Sequence, residues 1–169
     1  MDNNNKDIRE EDAQRAFAGL VERYSGVISK VCYMYAESAG EAADMRQDIL
    51  LNLWKSRDSF RGEANMSTWI HRVCINTCIS YIRKEKKHRA AGGPELMDLI
   101  PDTVPDRREM LRQMHDLIRR LKTRERALIL LWLEDFNYDE IAEVVGVGRN
   151  TVATSLRRIK QKLMEMAKD

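Results

Sequence analysis

Asn137-Tyr138-Asp139-Glu140-Ile141-Ala142-Glu143-Val144-Val145-Gly146-Val147-Gly148-Arg149-Asn150-Thr151-Val152 is the stretch whose reading decides the fold. An Asn at a helix start with Glu three residues later is the capping-box pattern. A short helix is therefore predicted over 138–145. Gly146 ends it, because glycine enters the left-handed conformation at little cost. After Val147-Gly148 a last helix is predicted over 149–166. Ile141, Ala142 and Val145 pack the first helix, with Ala142 small where helices cross closely, and Val147 and Val152 plug the core below the turn. Two helices joined by a short glycine-bearing turn, the second one basic, form a helix-turn-helix pattern. Arg149, Asn150, Thr151, Thr154 and Ser155 lie near the N-terminal end of the second helix, where a major-groove helix meets base edges. Arg157, Arg158, Lys160 and Lys162 follow and suit phosphates.

Upstream, Met110, Leu111, Met114, Leu117, Ile118 and Leu121 form a helical stripe. Thr123 is expected to cap a helix over 124–134 with Leu128, Leu131 and Trp132 in its core. The segment 88–107 breaks this pattern: it holds Gly92-Gly93-Pro94, Pro101 and Pro105 and has no helical period. A structureless stretch of that length is unusual inside one compact domain, so two modules are expected. The boundaries are 10–87 for the first, 88–108 for a flexible linker and 109–167 for the second. Helices are predicted in the first module over 11–24, 27–36, 41–55 and 66–86, with a turn at Ser38-Ala39-Gly40 and a polar loop over 57–65. No strand signal is present, and the fold class is all-α.

Composition agrees with folded helical protein: of 169 residues, 43% are hydrophobic and 33% charged, with only 8 Gly and 3 Pro. The polar N-terminus lacks a signal-peptide core, and no apolar run approaches the roughly 18–20 residues of a membrane span. A cytoplasmic chain with no membrane insertion is expected. Net charge is only +2, but basic residues crowd Arg83-Lys84-Glu85-Lys86-Lys87-His88-Arg89 and the last helix. Acidic residues crowd the first half, including Glu37, Glu41, Asp44 and Asp48. The division points to two kinds of partner, one of them a polyanion.

Two constellations in the first module admit two readings each. Asp44, Gln47 and Asp48 flank an apolar surface ending in Leu51, Leu53 and Trp54, which is either a docking surface or core. Phe60, Arg61, Asn65, Trp69, Arg72 and Asn76 interleave aromatic, amide and basic groups. They suit capture of unstacked bases, or form a core tryptophan among surface arginines. His71, Cys74 and Cys78 share a helix face at i, i+3 and i+7, yet structural zinc usually takes four ligands. No metal or cofactor is expected, and no carboxylate cluster, nucleophile pair or phosphate loop indicates an enzyme.

These residues carry a family resemblance. Asp44-Met45-Arg46-Gln47-Asp48-Ile49-Leu50-Leu51-Asn52-Leu53-Trp54 resembles the polymerase-binding helix of sigma factors of the extracytoplasmic-function group, in the sigma-70 family. Asp58-Ser59-Phe60-Arg61-Gly62-Glu63, followed by Ser67-Thr68-Trp69-Ile70-His71-Arg72-Val73-Cys74-Ile75-Asn76, resembles its promoter-melting region. The C-terminal helix-turn-helix is similar to that group's own. The resemblance runs from about 12 to 163. It implies a four-helix region 2 and a helix-turn-helix region 4, forming an alternative sigma factor that carries core RNA polymerase to promoters and melts them.

Residue by residue, the resemblance implies that Asp44, Gln47, Asp48, Leu51 and Trp54 dock on the clamp helices of the polymerase's largest subunit. Phe60, Arg61, Asn65, Trp69 and Asn76 would take a flipped base of the minus-ten element, and Arg72, Arg83 and Lys84 would hold phosphates. Arg149, Asn150, Thr151, Thr154, Ser155, Arg157 and Arg158 would meet the minus-thirty-five element. An anti-sigma factor clamping both modules is a further implied partner. Two departures stand out: Ala153-Thr154-Ser155 lacks the arginine or lysine common there, and Asp48 replaces the usual glutamate. The rival readings are a helix-turn-helix repressor binding its operator as a dimer, and an adaptor that binds only protein.

Overall fold

Local capping chemistry sets where the helices begin and end. In the computed structural model, which describes residues 2–60, 62, 65–85 and 105–168, the helices are α1 (Asp2–Arg23), α2 (Ser25–Tyr35), α3 (Ala39–Ser56), α4 (Met66–Glu85), α5 (Pro105–Arg119), α6 (Thr123–Leu133), α7 (Tyr138–Val145) and α8 (Arg149–Met166). Among the described residues there is no strand, and the fold is all-α. Ser38 caps α3, its side chain accepting from Glu41 N at 3.1 Å, while Glu41 Oε2 accepts from Glu37 N at 2.9 Å. That reciprocal cap starts α3 at Ala39, so the expected turn at 38–40 is the first turn of the helix.

Other boundaries also moved. α1 starts well before residue 11, and only a break at Tyr24 separates it from α2. α5 begins at Pro105, inside the expected linker, because proline at a first helical position loses no hydrogen bond and has a preset φ. Most of that linker, 88–104, lies outside the described residues. Thr123 is the first residue of α6 and not its cap; the exposed end is closed instead by Glu125 Oε2, which accepts from Lys122 N at 2.9 Å. α6 then ends with Asp135 at φ 61° and Phe136 N donating to Leu131 O at 3.1 Å, a left-handed stop that aspartate tolerates.

The helix-turn-helix follows its sequence pattern closely. Asn137 Oδ1 accepts from Asp139 N and Glu140 N, both at 3.0 Å, and Glu140 Oε2 accepts from Asn137 N at 2.9 Å. Gly146 has φ 72° and ψ 39°. Ile141, Val144, Val152, Leu156 and Ile159 are buried between α6, α7 and α8, and Ala142 and Val147 pack at the edge of that core. Trp132, expected in the core, is 37% exposed and lies under Lys160, whose Nζ is 3.5 Å from the ring centroid. Ala127, Ile129 and Leu130 are buried beside Leu128 and Leu131 instead.

Helices α2, α3 and α4 form the N-terminal bundle around Ile28, Met45, Ile49, Leu53, Ile70 and Cys74, with α1 laid against it. The two halves of the chain then pack on each other, and their buried residues join in one cluster. Arg126 of α6 sits at that junction. Its guanidinium donates to the carbonyls of Arg119 and Leu121 at the end of α5 and of Met34 at the end of α2, so one cation satisfies carbonyls left open by two helix ends.

A Cβ at Gly146 would meet nothing within 4 Å, so a substitution there is penalised by backbone conformation alone. Gly146→Ala is expected to cost about 1–2 kcal/mol and Gly146→Asn clearly less. Asn137→Ala is expected to cost about 1 kcal/mol. Urea unfolding of the three variants checks this; equal stability of the Ala and Asn variants at 146 would contradict it.

Candidate nucleic-acid interface

Helix α4 uses three of its sides for packing. Cys78 hydrogen-bonds Cys32 of α2, Thr77 Oγ1 accepts from Asn52 Nδ2 of α3 at 3.0 Å, and His71 meets Phe136 beyond α6, ring centroids 4.7 Å apart. The strip left over carries Arg72, Val73, Asn76 and Ser80. With Asn52, Lys55 and Ser56 of α3 this strip walls an open groove of about 420 Å³. Lys55 and Asn76 are exposed, and Val73 supplies an apolar floor. Such a groove offers apolar contact to a flat ring, amide and hydroxyl groups to its edge, and two cations to a phosphate.

The sequence-derived residues fall around this groove unevenly. Arg72 and Asn76 line it. Phe60 is half-buried against Trp69, ring centroids 5.4 Å apart and planes 50° apart. Asn65 heads α4: its Oδ1 accepts from Ser67 N at 3.1 Å and its carbonyl accepts from Trp69 N. It also borders a separate hollow shared with α1. Arg61 lies outside the described residues, and Arg83 and Lys84 are exposed at the far end of α4. Lys55, Ser56 and Val73 were missed by the sequence reading. The signal was available, since 73, 76 and 80 and 52, 55 and 56 repeat at helical spacing beside residues already named.

On α3, Asp44, Gln47 and Leu51 form an exposed stripe, with Asp48 half-buried at its edge. Asp44 accepts from the Tyr81 hydroxyl at 3.4 Å. Met45, Ile49 and Leu53 are fully buried, and Leu51, at 53% exposure, is the large apolar side chain of α3 left in solvent. Of the two readings of this apolar surface, docking surface or core, core accounts for most of it. Trp54 is half-buried, edge-on to Phe17 of α1 at 5.1 Å and under the Arg57 guanidinium at 3.8 Å. It ties α1 to α3.

On α8, Arg149, Asn150, Thr151, Thr154, Arg157 and Arg158 are exposed and Ser155 is half-buried. Arg149 Nε lies 3.3 Å from Asp139 Oδ1, and the Thr154 hydroxyl donates to Asn150 O at 2.9 Å. Arg72, by contrast, is engaged across the junction. Its Nη2 donates to Glu143 O at 3.0 Å and Glu143 Oε1 at 2.8 Å on α7. Among the described residues, no group of three or more His, Cys, Asp or Glu could hold a metal ion, and no helix is long and apolar enough to cross a membrane.

The family model for Sigma-70 region 2 matches residues 20–88, and that for Sigma-70, region 4 matches residues 111–163. The chain belongs to the sigma-70 family, in its extracytoplasmic-function group. This sigma factor is 26% identical to the extracytoplasmic-function RNA polymerase sigma factor SigW of Bacillus subtilis, over 97% of this chain and 95% of that protein. It is 28% identical to the sigma-E factor of Haemophilus influenzae over 88% and 85%.

Solved structures share the fold. CnrH in complex with the cytosolic domain of CnrY gives a TM-score of 0.66 at 21% identity, over 92% of this chain and 89% of that one. RpoE of Bartonella quintana in complex with the anti-sigma factor NepR gives 0.70 at 19%, over 91% and 98%. The chain is thus a transcription initiation factor of the sigma type, directing promoter recognition, and not an enzyme.

All three thiols are buried. Burial pushes Cys74 up to about 12. The Cys32–Cys78 hydrogen bond raises Cys78 and lowers Cys32. At pH 8 the native sigma factor is expected to take up fewer than about one equivalent of a thiol reagent within minutes, since only an accessible thiolate reacts, and three once denatured. Rapid labelling of the native chain would contradict this core.

Proposed function

We propose that this cytoplasmic sigma factor works as two modules, 10–87 and 109–167, that divide three tasks. The α3 stripe of Asp44, Gln47, Asp48 and Leu51, backed by Trp54, docks on the clamp helices of the largest subunit of core RNA polymerase. The α3–α4 groove holds an unpaired base of the minus-ten element, Phe60, Arg61, Asn65 and Trp69 assist its capture, and Arg83 and Lys84 hold the backbone. The exposed face of α8 reads the minus-thirty-five element, with Arg149, Asn150, Thr151, Thr154 and Ser155 toward bases and Arg157 and Arg158 toward phosphates.

The observation that carries this reading is the groove itself. It is the place where an apolar floor at Val73, the Asn76 amide and the cations Lys55 and Arg72 converge on one open volume. The factor makes no bond. Extracting a base costs a few kcal/mol, which apolar contact with Val73, edge hydrogen bonds and phosphate contacts would offset. Arg72 can hold a phosphate only after it leaves Glu143, and separation of the two halves would keep it free. An anti-sigma factor, of the kind bound to the Bartonella quintana RpoE, would act by preventing that separation.

The test is co-purification with core RNA polymerase. The native chain is expected to bind, and an Asp44→Arg, Asp48→Arg double variant, folded by circular dichroism, to lose at least about tenfold in affinity, about 1.4 kcal/mol. No binding by the native chain, freed of any inhibitory partner, would remove the docking proposal.

A further inference from the structure

The junction between the two halves is built around two buried histidines, one from each side. His71 of α4 is 4% exposed and presses edge-on against Phe136 from the other half, while its Nδ1 lies 2.8 Å from the Ser67 carbonyl of its own helix. His115 of α5 is 3% exposed and stacks on Tyr33 of α2, ring centroids 3.9 Å apart and planes 27° apart. Its Nε2 lies 3.2 Å from the Tyr33 carbonyl, so that nitrogen carries a hydrogen and donates there. Each histidine thus belongs to one half and is buried against the other.

The slot at His71 cannot hydrate a cation. Beside His71 the junction leaves a void of about 10 Å³, walled mainly by Val27, Val31, Ile75 and Leu130, at the lower limit of what one water needs. The charges facing His71 are Glu134, which favours protonation, and Lys30 of α2, which opposes it. These two are already bonded to each other, which leaves little field at the ring. The charges around His115 are Asp116, with Oδ1 at 3.7 Å on the solvent side, opposed by Arg119. Arg112 acts on the adjoining Tyr33. Burial is the largest influence on both rings and lowers both.

We propose that His71 and His115 make closure of the two halves pH-dependent: as neutral rings they hold α2 and α4 against α5, α6 and α7, and protonation releases the junction. Once separated, both rings face water and regain an ordinary histidine affinity near pH 6.5. The open form therefore binds more protons than the closed form at acid pH. Closure is fully favoured above about pH 7.5, and the closed-to-open ratio falls by up to about tenfold per pH unit per histidine below about 6.5. Opening frees Arg72 from Glu143, and its consequence for DNA, though not the opening itself, rests on the groove proposal above.

The test is small-angle X-ray scattering of the full chain from pH 7.5 to 5.5, with far-ultraviolet circular dichroism on the same samples. The native chain is expected to be compact at pH 7.5 and to expand toward pH 5.5 with its helix content unchanged. A His71→Phe, His115→Phe variant keeps two flat rings that cannot ionise, and is expected to stay compact throughout. If that variant does not fold, His71→Gln, His115→Gln takes its place. The proposal is overturned by a native radius that does not change, by a folded variant that expands as the native chain does, or by expansion in step with loss of helix. Polymerase binding plays no part in this readout, so failure here is distinct from failure of the docking or groove proposals.

Discussion

Helix α4 is the member on which the rest of the molecule depends, because it is packed on three sides and so has one orientation. Cys78 looks to α2, Thr77 to α3, and His71 with Ile75 to α6 and its following turn. Rotating the helix by one residue would bury Arg72 or Asn76 without partners, at a cost of several kcal/mol. The outward strip of Arg72, Val73, Asn76 and Ser80 is therefore fixed by what the other sides bury. A groove on a rigid helix pair is held more tightly than one on loops, which is what capture of a single base requires.

Arg72 lies where that strip meets the junction between the two halves. The ion pairs crossing the junction, Arg72–Glu143 and Lys30–Glu134, are partly exposed, and such pairs typically contribute about 0–1 kcal/mol. Closure must then come mainly from buried contacts, His71 on Phe136 and His115 on Tyr33, and from Arg126 on the helix-end carbonyls. An arginine held by a weak, half-exposed carboxylate is easily transferred to a phosphate, whereas the ring contacts decide whether the halves part at all. Recognition and opening are thereby assigned to different groups.

Local signals were legible in the sequence and long-range ones were not. Asn137 and Gly146 fix the helix-turn-helix with contacts inside ten residues, and α8 has the predicted bounds. The apolar stripes identified every described helix. Trp132 was misplaced because helical period cannot say which large residue at the edge of a stripe is covered by a lysine stem. Arg126 and His115 carry no periodic signal; their roles exist only once α2 and α5 meet, some eighty to ninety residues apart in sequence. The acid and amide stripe on α3 was visible, but the share of its apolar neighbours that is core was not. Asn65 suits a base contact by residue type, but it also begins α4. Lys55 and Ser56 share the helical period with Asn52, but only packing against α4 makes that face a groove wall.

The most direct measurement fills the groove and asks whether DNA still opens. Ser56 lies on its wall and its hydroxyl donates to Asn52 O in the preceding turn, so Ser56→Trp projects a large ring into the open volume without entering the core. Promoter opening by the holoenzyme, followed by the fluorescence of 2-aminopurine in the minus-ten element, reads the result. The account predicts that the variant assembles with core polymerase like the native chain and opens the promoter at least about tenfold more weakly, about 1.4 kcal/mol. Opening at the native level by an assembled Ser56→Trp holoenzyme would contradict the assignment of the α3–α4 groove.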